Sequence, residues 1–192
     1  MVQNGIASRK VVTNNLKILI IMKKITISFL MLCFSITTFA QVSIGKETAE
    51  SESTILDFNN VDTNTNGLIL SAVSELPKNL DASNNGTLLF DRTTKKVKMY
   101  ENNNWVDLSD EGDDQTIETN PSEDLGKGVI IGKEKTNAKG ILVLESENQA
   151  MILPRIADPH LTVKSPYPGM ICYDTESKSL AVFDGKVWNY WK

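Results

Sequence analysis

Apolar and polar positions alternate with a period of two along a stretch that occurs twice: GTLLFDRTTKKVKMYENNNW from Gly86 to Trp105, and GMICYDTESKSLAVFDGKVW from Gly169 to Trp188. In the first strand of the block, Leu88 and Phe90 alternate with Thr87 and Leu89, the signature of a strand with two different faces. Val97 and Met99, or Leu180 and Val182, give the next strand one apolar face. Asp91 and Asp174 end the first strands, where a carboxylate can accept from a backbone N–H two residues on and start a turn. Asn102-Asn103 and Asp184-Gly185 mark the second turn, since both pairs tolerate positive φ, and Trp105 and Trp188 open the third strand. The block is predicted as a three-stranded β-meander. Helix signals are thin: Ala72 to Leu80 and Ile156 to Val163 allow a turn or two, interrupted by Pro77 and Pro159.

The repetition extends beyond the meander. Its offset of 83 residues reaches back to Ile69-Leu70 and Ile152-Leu153, and the triplet Gly-Lys-Glu occurs at 45–47 and 132–134. Each copy therefore reads as IGKE, a polar connection, an apolar strand (Thr54 to Phe58, or Gly140 to Leu144), a second short strand, and the Gly-to-Trp block. The positions that define it are Gly86, Asp91 and Trp105 in one copy and Gly169, Asp174 and Trp188 in the other. Between the copies, the acidic stretch from Asp107 to Gly128 is poor in apolar residues and punctuated by Pro121, Gly126 and Gly128. The fold class expected is all-β: two tandem β-meander modules, residues 41–108 and 129–192, joined by an acidic linker over 109–128 with a boundary near 118. A module of about 65 residues is marginal alone, so packing of one on the other, or association of chains, is expected.

The start of the chain has a different character. Met22-Lys23-Lys24 is a basic n-region, Ile25 to Ile36 an apolar run, and Thr38-Phe39-Ala40 supplies small residues before Gln41. This is the pattern of a secretory signal peptide over 22–40, cut after Ala40, with residues 1–21 as an upstream extension. Lys23-Lys24 divides the apolar stretch, so neither half reaches the ~20 residues a membrane span needs. The expected location is secreted or on the outer cell surface. Cys33 lies within the leader without the small preceding residue of a lipoprotein signal, and the chain after it keeps only Cys172. One cysteine makes no internal disulfide, and a buried, inert thiol is the reading for Cys172.

Charge narrows the partners. The chain carries 20 Lys+Arg and 24 Asp+Glu, net −4, and loss of residues 1–40, with five basic and no acidic side chains, takes this to −9. An acidic chain without a basic stripe argues against nucleic acid.

Candidate chemistry is sparse. Asp62 to Gly67 matches the opening of an EF-hand loop, but its twelfth position is Val73 rather than a carboxylate, so a polar turn is expected and no metal or other cofactor. His160 is the only histidine, and no Ser/His/Asp or Cys/His set accompanies it. The aromatic group Trp188, Tyr190 and Trp191 is the one candidate ligand-binding surface, although Trp105 and Trp188 recur at matching positions, which favours packing.

The pattern of IG, an apolar strand, Leu153-Pro154-Arg155, and PGMICYDTESKSLAVFDGKVW resembles a repeat of secreted Bacteroidetes proteins, and related blocks occur in phage-tail-fibre-like chains. The second copy matches throughout from Ile131 to Trp191, whereas the first has Ser71-Ala72 for Pro-Arg and Asn102-Asn103 for Asp-Gly. The resemblance implies exported β-rich modules that decorate surface and fibre proteins, and it carries no catalytic residues. The function expected is a non-enzymatic, adhesin-like or fibre-like interaction protein, forming a homo-oligomer (a trimer first) and meeting a surface glycan or protein. Two alternatives stay open: a carbohydrate-binding module using the C-terminal aromatics and, more weakly, a hydrolase.

Overall fold

The computed structural model describes residues 17–28, 41–49, 51, 53–118, 126 and 128–192. The chain divides into two compact units, Met1–Phe39 and Ala40–Lys192. In the first, residues 17–28 form a helix, α1, that exposes Ile18, Leu19, Ile20, Ile21, Ile25 and Ile27. The remainder of the expected leader and its cleavage site lie outside the described residues. No helix among the described residues is long and apolar enough to cross a membrane.

The regular elements of the second unit are almost all strands, as expected for an all-β chain. In the first copy β1 (Val42–Ile44) lies parallel to β2 (Thr54–Phe58), followed by β3 (Leu68–Ile69), β4 (Ala72–Val73), a 3₁₀ turn at Ala82–Asn84, and the meander β5 (Leu88–Asp91), β6 (Lys96–Glu101) and β7 (Asn104–Asp107). The second copy repeats the order: β8 (Val129–Ile131) parallel to β9 (Leu142–Leu144), then β10 (Ala150–Met151), β11 (Arg155–Ile156), a single helical turn α2 (Pro159–Thr162), and the meander β12 (Met170–Asp174), β13 (Ser179–Phe183) and β14 (Trp188–Trp191). Ala72-Val73 is a strand rather than a helical turn, pairing in parallel with Phe90-Asp91, as Arg155-Ile156 pairs with Tyr173-Asp174. The helical signal is realised only at α2, where Pro159 takes the first position and its missing N–H costs nothing.

The turns follow the local chemistry. Asp91 Oδ1 accepts from the Thr93 N–H at 2.9 Å, and Asp174 Oδ1 from the Glu176 N–H at 3.1 Å. The shared lysines close these turns in the left-handed region, each with φ of 55°. Asn102 and Asn103 both have positive φ, 50° and 63°, so they make the two-residue turn whose twist suits a hairpin. The second copy solves the same turn differently: Gly185 alone has positive φ, and Asp184 Oδ1 accepts from the N–H groups of Lys186 and Val187.

Packing joins the two copies. One core cluster combines Phe90, Val97 and Leu108 with Ile171 and Val182, and Leu68, Leu70 and Leu180 pack against it. Two strands cross between the copies: β10 lies parallel to β2, and β3 lies antiparallel to β12. A second cluster, Ile156, Met170, Cys172, Ala181 and Phe183, lies within the second copy. The acidic stretch after β7 is laid across both copies as far as residue 118. Gly112 N–H donates to the Lys95 carbonyl, Asp113 N–H to the Asp184 carbonyl and Glu118 N–H to the Tyr167 hydroxyl, while Ile117 packs on the shared core. Residues 119–125 and 127 lie outside the described residues.

Candidate functional site

Strand pleating decides where the C-terminal aromatics go. Along β14, Trp188 and Tyr190 point to one face and Asn189 and Trp191 to the other. Trp188 packs on Phe183, its partner across the strand pair, with ring centroids 5.4 Å apart. Tyr190 is exposed, with its hydroxyl 3.2 Å from Nδ1 of His160 on α2. Burial of the phenol, then the Asp174 charge, pushes Tyr190 above its ordinary value, so the hydroxyl keeps its proton in this contact. Trp191 turns to the shared-core face, where its Nε1 donates to the Leu108 carbonyl at 2.5 Å and its ring stays partly in solvent. The structure thus places Tyr190 against His160 on the same strand face as Trp188, and Trp191 on the opposite face in the cross-strand row Tyr173, Leu180, Trp191. Trp105 packs edge-on against Tyr100.

The remaining repeat positions serve the backbone. Gly86 and Gly169 have φ of 87° and 83° and donate to the carbonyls of Tyr100 and Phe183, each at 2.8 Å. Asp174 loses solvation on burial, but hydrogen bonds from Ser177 and from the backbone of Glu176 and Asp158 outweigh this and hold its carboxyl below the ordinary range. In the polar turn at Asp62–Gly67, Asn64 bonds to Asn66 and reaches the Arg155 carbonyl, so its side chain ties the turn to the second copy.

Chemistry beyond packing is limited. Burial pushes the Cys172 thiol up to about 12, which keeps it protonated and unreactive. Among the described residues, no group of three or more His, Cys, Asp or Glu side chains is placed to hold a metal ion. An open depression of about 270 Å³ has Ser83, Lys133, Lys135, Thr136, Ala138 and Glu145 in its lining, with neither His nor Cys among the lining residues. Sequence reasoning missed Tyr173 and the open edge of β9, whose outer backbone groups face no other strand among the described residues. The only signal for them was the duplication, which pairs each with a buried counterpart.

Among the described residues, the fold and surface define an all-β arrangement of duplicated meanders with unpaired strand edges and exposed aromatic and aliphatic side chains. Residues 130–192, the second copy, match the family model described as phage tail like trimerisation region, so this part of the chain is similar to tail-fibre-like assembly modules. No curated protein and no solved structure matches the chain.

Proposed function

We propose that this protein is an exported, non-enzymatic fibre-like interaction protein that works as a homotrimer. The observation that carries the reading is the match of residues 130–192 to a trimerisation region. Exposed apolar side chains on short strands, among them Ile44, Ile69, Val129 and Leu142, support it, because such edges gain most from pairing with another chain. The acidic net charge suits a soluble assembly outside the cell, and the basic-apolar-small pattern ending at Ala40 supports export.

Light scattering of the purified protein tests the assembly: a mass of three chains is expected, and a monomer at every accessible concentration sinks the reading. Export is tested separately by intact mass after secretion, with Gln41 expected as the first residue. Retention of Met22 would refute cleavage.

A second reading rests on the exposed rings of Tyr190 and Trp191, which suit stacking against sugars. It predicts glycan binding that falls in Tyr190→Ala and Trp191→Ala. Binding unchanged in both variants removes its basis.

A further inference from the structure

The duplication allows each surface of one copy to be compared with the same surface of the other, and in five such pairs one member is covered and its counterpart open. A Cβ on Gly169 would lie 3.1 Å from the Phe90 Cβ and 3.7 Å from the Leu70 Cβ, whereas one on Gly86 would meet nothing within 4 Å among the described residues. Phe90 is 0% exposed and its counterpart Tyr173 36%, while Leu108 is 5% exposed and its counterpart Trp191 45%. β3 lies along Met170 and Ile171 of β12, but among the described residues no strand lies along the counterpart positions, Thr87 and Leu88. β10 lies along β2, where Leu56 is 1% exposed, but among the described residues β9 has only β8 beside it and Leu142 is 42% exposed.

These contacts join one surface of the first copy to a different surface of the second. Such a heterologous junction leaves half of each copy open, and the two open halves match each other as the two closed ones do. We propose that the second copy of one chain docks on the first copy of the next, repeating between chains the junction that the two copies make within a chain. Met151 and Ile152 then lie antiparallel to Leu88 and Thr87 of the neighbour, Tyr173 packs over the neighbour's Gly86 position, and the row ending at Trp191 is covered. The neighbour's β3 completes the open edge of β9.

The backbone geometry allows both pairings at once. Val129 N–H donates to the Ile141 carbonyl and Glu145 N–H to the Ile131 carbonyl, so alternate residues of β9 face β8 and Leu142 and Leu144 face the open edge. On β10, the N–H groups of Ala150 and Ile152 are used toward the β2 side, donating to Ser53 and Leu56. Met151 and Leu153 therefore face away, and their first-copy counterparts are Leu68 and Leu70, the latter donating to the Gly169 carbonyl. One short segment can thus serve one copy with its even-numbered groups and another with its odd-numbered ones. The occupant is a second copy of this chain because the chain itself shows what fills the equivalent edge.

The inference rests on the trimer reading and adds to it the surfaces used and their head-to-tail polarity. Its test is the double variant Leu88→Cys with Met151→Cys, the counterparts of the paired Ile171 and Leu68. Mild oxidation is expected to give interchain bands up to three chains on a denaturing gel, with each single variant remaining one chain. Leu142→Lys, at a position exposed in the single chain, should weaken association at least about tenfold with an unchanged circular dichroism spectrum. A wild-type trimer that gives no interchain bond and is unaffected by Leu142→Lys overturns this junction and leaves the trimer reading standing. A monomeric wild type overturns both.

Discussion

Tyr100 and Trp105 face each other across β6 and β7 with ring centroids 5.3 Å apart and planes inclined at 62°, and 83 residues later Phe183 and Trp188 repeat the contact. The tryptophan of each block therefore fastens its third strand to the second, and both meanders rest on one shared core.

Trp105→Ala and Trp188→Ala should each remove about 2 kcal/mol, less than for a fully buried ring because both tryptophans remain partly in solvent. Because Phe90 and Val97 share a cluster with Ile171 and Val182, both variants should shift one common transition. Denaturant titration followed by tryptophan fluorescence checks this, and two separated transitions would contradict it.

Asp174 gives a pH dependence whose sign is set by its depressed value. Its contribution is fully present above the unfolded carboxylate value of about 3.9 and is lost as the pH falls through the lower folded value. Asp174→Asn should therefore lower Tm near neutrality, with the difference from wild type shrinking in acid. A difference that stays constant to pH 2 would show that the charge is not the cause.

Gly112 and Gly86 should respond differently to alanine. A Cβ on Gly112 would run into the Asp184 carbonyl where the acidic strap meets the second meander, so Gly112→Ala should cost more than about 2 kcal/mol. Gly86 sits in open space, so Gly86→Ala should cost only its backbone strain, about 1 kcal/mol. Thermal unfolding of the two variants under conditions favouring the single chain ranks them.

Cys172 is fully buried and its thiol is pushed up to about 12. Thiol reagents should modify it only as fast as the chain opens, with full reactivity appearing in denaturant. Rapid labelling of the native protein would contradict this burial.

Much of the candidate surface was visible in the residues, but not its geometry. The aromatic run from Trp188 to Trp191 stood out by composition, yet pleating sends Trp188 and Tyr190 to one face and Trp191 to the other. Tyr173 gave no sign of exposure, because alternation shows that a strand has two faces without showing which part of a face is covered.

The sequence by itself determined the duplication, the meander strands and their turns, because those depend on neighbours a few residues apart. Asp91 and Asp174 cap their turns through adjacent N–H groups, and Asn102-Asn103 accepts positive φ through its own backbone. Only the tertiary structure decided that β3 crosses to β12, that β10 crosses to β2, and that the strap to residue 118 lies across both copies. Those pairings are made by backbone N–H and C=O groups, which every residue except proline carries alike, so no side-chain pattern announces which edge a short strand will join.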